Sequence, residues 1–333
     1  MLKGFVFGKF LPFHKGHQAM ISFALTKCDV LSVLVCCSDK ESIPCETRQS
    51  WILKTFPGLT ALQVRTFNYK ESELPSTSES SLEVSKSWSE IFKQLFPDYD
   101  LVITSEEYGN YVASFMGIEH VPFDPDKKLF PVSATDIRRD PFTNWQFLPD
   151  SVKPYFSIKV AILGTESTGK TTLTEKLSKH FNCSSVHEAG RDLIPDSKAF
   201  EYDDLYLVAS EHAKRIEKAT QGNCPLVIMD TDIHITKSYA SFIFERELEV
   251  DSSITDVNKA DLYIYLNNDV EYTQDGTRLS IIDRNKLDIS HRETLRRHHI
   301  EFVDITGDWE QRFEKAVALI SELVNKKSNM HWA

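Results

Sequence analysis

Two groups of residues in this chain have the types and spacing that chemistry at phosphate requires. The first is Gly8-Lys9-Phe10-Leu11-Pro12-Phe13-His14-Lys15-Gly16-His17, a G-x-F-x-P-x-H-x-G-H pattern. Two histidines three positions apart, where a strand gives way to a helix, offer imidazole hydrogen bonds to phosphate oxygens. Such donors stabilise charge that develops at phosphorus without forming a covalent intermediate. Gly8 and Phe10 form the cofactor-facing end of the strand, and Gly16 keeps the helix start open. A chance match is about one in a million at this chain's residue fractions, which disfavours two ordinary core or capping histidines.

Val132-Ser133-Ala134-Thr135-Asp136-Ile137-Arg138 fits an [IV]-S-x-T-x-x-R pattern in the same half of the chain. Ser133 and Thr135 fall at a helix N-terminus, where hydroxyls and free N–H groups hold phosphate. Arg138, one turn on, is placed to neutralise a β- or γ-phosphate. Alone this segment reads as an ordinary capped helix; together with the histidine motif it completes a nucleotide site.

The second group is Gly164-Thr165-Glu166-Ser167-Thr168-Gly169-Lys170-Thr171, a complete G-x-x-x-x-G-K-[ST] phosphate loop. Gly164 and Gly169 let backbone N–H groups approach phosphate oxygens, with Glu166, Ser167, Thr168 and Thr172 completing the cofactor-binding loop and its first helical turn. Lys170 reaches the β- and γ-phosphates of ATP, and Thr171 is a Mg2+ ligand. A chance match is on the order of one in a hundred, but the context is right, because an apolar strand precedes the loop and a helix follows it. Val227-Ile228-Met229-Asp230 is an apolar strand ending in an acid that suits Mg2+. Asp232 is close enough to share that role or face the substrate, and a helix N-cap is the competing explanation for either acid. In His187-Glu188-Ala189-Gly190-Arg191, Glu188 is a candidate to accept the proton of a substrate hydroxyl and Arg191 to bind the substrate, against a plain surface ion pair. The general base stays open between Glu188 and the Asp230/Asp232 pair. Asp275-Gly276-Thr277-Arg278 lies in a charged loop with Arg284, and Arg278 is the arginine placed to meet ATP. The basic run Arg292, Arg296, Arg297, His298, His299 reads as a solvated helix face.

These residues need strands and helices in strict alternation to hold them. Apolar runs predict strands at 4–9, 30–37, 62–67, 101–104 and 119–123, with helices at 17–27, 47–56, 84–96 and 108–116 between them. Asn68–Ser81 is a long polar loop, and the proline-rich stretch 140–154 reads as a linker. A second series has strands at 157–163, 184–186, 226–230, 262–266 and 302–305. Its helices fall at 171–181, 233–248, 289–300 and 309–324. The fold class is therefore α/β, with two doubly wound parallel-sheet domains at 1–150 and 156–333. A length of 333 residues allows each half its own core.

The net charge of −11 argues against a general nucleic-acid binder. The six cysteines lack zinc-ligand spacing and read as small buried hydrophobes in a reducing compartment. No apolar stretch is long enough to span a membrane and the first residues lack a signal-peptide layout, so a cytoplasmic protein without a membrane partner is expected.

The first half resembles the HIGH-type nucleotidyltransferases. The order of G-K-F-x-P-x-H-x-G-H, V-S-A-T-D-I-R-R-D-P and G-T-E-S-T-G-K-T resembles the NadR-type bifunctional proteins along nearly the whole chain. That resemblance implies an N-terminal Rossmann-like nicotinamide mononucleotide (NMN) adenylyltransferase and a C-terminal P-loop ribosylnicotinamide kinase. Both would use ATP and Mg2+, with NAD and pyrophosphate as the final products. An aromatic side chain could stack on the cationic pyridinium, for which Trp88 and Trp145 are the candidates, with a place in the core the equal alternative for each. Some members begin with a DNA-binding segment; here the chain starts at the motif-bearing strand, so no nucleic-acid partner is expected. A homo-oligomer is compatible with the sequence. The same chemistry on another nucleoside or phosphate substrate, or an ATP- and NAD-sensing regulator, are the alternatives.

Overall fold

The computed structural model describes residues 1–76, 81–194, 201–270, 272 and 279–330. The elements separate into two units, one covering Met1–Lys153 and the other Pro154–Ser328. The first unit runs β1 (Lys3–Gly8), α1 (Lys15–Ala24), β2 (Val30–Ser38), α2 (Cys45–Thr55), β3 (Leu62–Tyr69), α3 (Leu82–Leu95), β4 (Leu101–Thr104), α4 (Tyr108–Met116), β5 (Glu119–Pro122) and α5 (Ala134–Arg139). Its sheet has the order β3-β2-β1-β4-β5, with every pair parallel and registers such as Val6↔Val33 and Val33↔Val64.

A parallel sheet is covered on both faces, so its central strands can be apolar without alternation. β2 is buried along all but its first residue. Its one interior hydroxyl, Ser32, is satisfied by Tyr99 Oη at 2.7 Å. On one face Phe5 and Phe7 meet the helix α3, with Phe5 stacked on Phe96 at 4.6 Å and Phe7 against Phe92 at 4.4 Å. Each such ring contributes about 1.5–3 kcal/mol through burial.

In the second unit a one-turn helix α6 (Lys153–Phe156) leads into β6 (Ile158–Leu163), α7 (Lys170–Phe181), β7 (Ser184–Val186), α8 (Gly190–Leu193), α9 (Tyr202–Thr220), β8 (Leu226–Asp230), α10 (Ile233–Phe244), α11 (Ser252–Asn258), β9 (Leu262–Leu266), α12 (Ile281–Arg297), β10 (Val303–Ile305) and α13 (Trp309–Ser328). The sheet order is β10-β9-β6-β8-β7, again all parallel. In both sheets the first strand is central and the chain winds to either side of it. The crevice at the carboxyl ends of β1/β4 and β6/β8 is where such sheets bind ligands. The histidine motif follows β1 and the phosphate loop follows β6.

Three expectations change. The 19-residue α9 has no counterpart among the elements predicted from sequence. Its buried face, Leu205, Val208, Ala209, His212, Ala213 and Ile216, has helical spacing, but a histidine on that face and seven charged residues around it mask the period. α12 begins at Ile281, eight residues before the predicted start, because Ser280 caps it by accepting from Asp283 N–H. The cysteines do not all behave as buried hydrophobes. Cys36 is buried, Cys37 and Cys45 form a disulfide that joins the end of β2 to the first turn of α2, and Cys28, Cys183 and Cys224 are partly exposed. No helix among the described residues is long and apolar enough to cross a membrane.

Candidate active sites

In the first unit a cleft of about 440 Å3 opens at the end of β1, lined by Gly8, His14, Gly16, His17, Ser133, Thr135 and Arg138 among others. The cleft thus brings together all the polar residues that the two first-half motifs nominate. His14 is the N-cap of α1, and its Nδ1 accepts from Gly16 N–H at 3.1 Å. With Nδ1 accepting, the proton of the neutral ring sits on Nε2. His17 stacks on His14 with ring centroids 3.7 Å apart. A Cβ on Gly16 would lie 3.0 Å from the His14 ring, so the glycine between the histidines makes room for the first of them. Burial, helped by the Lys127 charge, pushes His14 down to about 4. Burial, His14 and Lys127 in that order hold His17 well below the usual histidine range. Both rings are therefore neutral N–H donors at pH 7. Phe10 lies behind them, its ring 5.0 Å from that of His17.

The S-x-T-x-x-R segment is tied to the histidine motif. Ser133 caps α5, accepting from Asp136 N–H at 3.1 Å, while the Asp136 carboxylate accepts from Ser133 N–H in return. Arg138 reaches back 127 positions to donate to Leu11 O at 2.5 Å, and donates to Thr135 Oγ1 at 3.1 Å.

At the cleft wall Lys9 of the histidine motif joins a charged network whose other members, Glu41, Arg48 and Glu71, have no counterpart among the residues singled out from sequence. Lys9 Nζ lies 3.1 Å from Glu41 and 3.6 Å from Glu71, and Glu41 pairs with the buried Arg48 at 2.7 Å. Arg48 also donates to Lys9 O at 2.9 Å. Its signal in the sequence is its place on the same helical face as Trp51 and Ile52, both buried. Trp88 is displaced from its proposed role. It is buried in the aromatic core, against Phe67, Tyr69 and Phe92, and donates to Pro75 O at 2.9 Å. Trp145 is likewise buried.

In the second unit the phosphate loop is wound around its own carbonyls. Thr168 Oγ1 and Lys170 Nζ both donate to Thr165 O, at 2.8 and 3.2 Å. Ser167 and Gly169 have left-handed backbones, at φ 61° and 83°. At Gly169 a side chain is excluded twice, by that φ and by Trp309, whose ring a Cβ would overlap at 2.0 Å. Gly164 is packed against Leu266 O. Thr171 Oγ1 donates to Asp230 Oδ2 at 2.5 Å, which joins the loop to the end of β8. Asp230 Oδ1 is buried and lacks a hydrogen-bond partner. Thr172 is exposed on the next position of α7. Glu166 does not face the loop interior alone; it accepts from Leu279 N–H at 3.1 Å and from Tyr239 Oη at 3.5 Å.

Glu188 carries a raised pKa. Burial raises it, the Lys170 charge opposes that, and the Asp230 carboxylate adds to it. Arg191 is paired with Glu188, Nε to Oε2 at 3.5 Å. Asp232 has a different job from the one its spacing suggests. Fully buried, it caps α10 by accepting from His234 N–H and Ile235 N–H, and its other oxygen pairs with His234 Nδ1 at 2.5 Å. Its oxygens are spent within α10. Arg292 is not part of a solvated face either; it pairs with Asp288 at 2.9 Å and Asp304 at 2.8 Å. Arg278 and the rest of Asp275–Arg278 lie outside the described residues.

The loop also has a support that the motif does not reveal. Arg312 on α13 is fully buried, donating to Thr168 O at 3.0 Å, Asn267 O at 2.9 Å and Gly307 O at 2.9 Å, and pairing with Asp269.

Comparison with known proteins finds relatives of both units. A family model described as an AAA domain matches residues 159–312, and one described as the citrate lyase ligase C-terminal domain matches residues 6–99. The chain is similar to the trifunctional NAD biosynthesis/regulator protein NadR of Escherichia coli, at 31% identity over 351 residues, covering 97% of this chain and 84% of that protein. The Salmonella typhimurium protein of the same name is 31% identical over 349 residues, with the same coverage. Among solved structures, a NadR protein in complex with NR has a TM-score of 0.70 at 21% identity, covering 96% of this chain and 95% of that one. A NadR protein in complex with NAD and AMP-PNP has a TM-score of 0.69 at 20% identity, covering 97% and 96%.

Proposed function

The chain belongs to the NadR family, and from that premise we propose how its two units divide two successive reactions of NAD salvage. The second unit phosphorylates the 5′-hydroxyl of ribosylnicotinamide with ATP. The first unit adenylylates the resulting mononucleotide with a second ATP. The observation that carries this reading is the contrast in side chains at the two sheet crevices: stacked neutral imidazoles at one, a phosphate loop beside a raised-pKa carboxylate at the other.

In the kinase step Lys170 and the loop N–H groups orient the triphosphate. Glu188, with its raised pKa, takes the proton of the 5′-hydroxyl as that oxygen bonds to the γ-phosphorus. The bond to the bridging oxygen breaks, and ADP leaves. Glu188 is the better base than Asp230, whose Oδ2 is already engaged by Thr171. Arg191 holds Glu188 in place and meets the substrate at the mouth. Thr171 and Asp230 supply an all-oxygen donor pair that suits Mg2+, and the orphaned Asp230 Oδ1 is the atom left for it. When bound there, the metal neutralises phosphate charge.

In the adenylyl transfer a phosphate oxygen of the mononucleotide attacks the α-phosphorus, and pyrophosphate leaves with the electrons of the broken P–O bond. A phosphate is already a nucleophile at pH 7, so no general base is required. What the unit supplies is position and charge stabilisation. His14 Nε2–H and His17 donate to phosphate oxygens, the α5 N-terminus with Ser133 and Thr135 holds others, and Arg138 compensates their charge. The small-molecule partners are thus ribosylnicotinamide, NMN, ATP and NAD. We infer no nucleic-acid or membrane partner for these two reactions, and a cytoplasmic setting and a homo-oligomer are compatible with them.

The test is direct. Purified chain with ribosylnicotinamide, ATP and Mg2+ is expected to form the mononucleotide and then NAD, followed by chromatography. Absence of both products sinks the reading.

A further inference from the structure

Lys127 lines the same cleft as the histidines and, among the described residues, makes one ion pair. Its Nζ lies 3.1 Å from Glu106 Oε1, each side chain is 47% exposed, and both residues line the cleft. The backbone is built to aim this lysine. The Asp124 carboxylate accepts from Lys128 N–H at 2.9 Å and Leu129 N–H at 3.0 Å, and Lys127 N–H donates to Asp124 O at 2.9 Å. The turn so closed holds Lys127 in the left-handed region, at φ 52°, a conformation that a lysine adopts only when its surroundings impose it. Its charge is felt at both imidazoles, where it helps keep them neutral.

Two other cations of the cleft, Lys9 and Arg138, are committed, and Lys40 lies exposed at it. Lys9 is shared by Glu41 and Glu71, and Arg138 donates to Leu11 O and Thr135. The tie on Lys127 is a half-exposed ion pair, the kind that water screens and that gives way to a stronger anion. Glu106, for its part, is an unfavourable neighbour for any polyanion unless a cation neutralises it.

We propose that Lys127 is a triphosphate-binding residue of the adenylyltransferase site and that Glu106 is its exchangeable counter-ion. Glu106 holds Lys127 at the cleft wall until the nucleotide arrives; the phosphates then take its place. This rests on the adenylyltransferase function assigned above to the first unit.

The experiment uses the full chain, with NMN saturating and ATP varied, and the kinase step of the other unit as the control for folding. Lys127→Ala is expected to raise KM for ATP ~10-fold with kcat within ~3-fold, and Lys127→Arg to restore most of the loss. Glu106→Gln is expected to lower KM for ATP ~2-fold or more, because it releases Lys127 and removes a repulsive charge. Opposite signs are the signature of exchange; a purely structural ion pair would make both changes raise KM. The proposal is overturned if Lys127→Ala leaves KM within ~2-fold of the parent, or if Glu106→Gln raises it. Should the parent chain form no NAD from NMN, the adenylyltransferase reading itself fails. Calorimetric ATP binding by the Lys170→Ala chain, with the same two changes added, then decides the exchange by the same pair of signs.

Discussion

On the reading proposed above, the two crevices would hold triphosphate by different physical means. In the first unit the groups offered are side chains: stacked imidazoles, a capped helix and an arginine, with His14, Ser133 and Arg138 each oriented by a specific hydrogen bond. In the second unit the groups offered are main-chain N–H groups of a loop whose shape is fixed by glycines and by a buried arginine from α13. A side-chain site is tuned by the protonation of its members, whereas a backbone site is tuned by whatever holds the loop. Sensitivity to pH and sensitivity to distant packing should therefore separate between the two units.

The largest effects test whether the sites are separate at all. Lys170→Ala should lower kinase turnover by about 10^3 while leaving NAD formation from NMN within about twofold, and His17→Ala should do the reverse with a loss of about 10^2–10^3. Rates of each step measured with its own substrate decide this; loss of both steps in either variant breaks the comparison. Next, Arg312→Ala should destabilise the second unit by about 3–5 kcal/mol, because it strips a buried ion pair and three carbonyl contacts at once. Hydrogen exchange should report that loss in β6 and α7 and not in β1 or β2.

The pH effect follows from His14. Its folded pKa, about 4, lies below the unfolded 6.5, so the unfolded chain binds the extra proton between those values. The stability it protects is full above pH 6.5 and is lost as pH falls through that window, by about 3 kcal/mol at pH 4. His14→Asn should reduce this slope for β1 and β2 amides, leaving the part that His17 contributes in the same direction. His291 in the second unit, pushed down by burial and Lys170 to about 3, leaves that unit its own slope in the variant. An unchanged slope in the first unit would show that other groups set it. The smallest effect is Ser133→Ala, which removes one half of the α5 capping box and should cost about 1 kcal/mol, read by urea unfolding.

Much of this was legible from the sequence because motif and period coincide. The residues from Gly8 to His17 and from Gly164 to Thr171 each follow an apolar strand, and the structure places them at the crevice that parallel topology reserves for ligands. What escaped has a physical cause. Arg48, Glu41 and Arg312 look like solvated charges because nothing local reveals their buried partners; Arg312 lies 144 positions from Thr168. Asp232 and Asp230 are indistinguishable by spacing, yet one faces the phosphate loop and the other turns back to cap its own helix. Trp88 offered an aromatic surface, but its place on the apolar face of α3 put it in the core.

The contact of Trp309 and Arg312 with the phosphate loop also sets an order of events during synthesis. The first unit has all its cleft residues in hand once position 138 has left the ribosome, whereas the loop at 164–171 waits for a helix that begins at Trp309. A nascent chain should thus acquire the enzyme for the later reaction well before the enzyme for the earlier one.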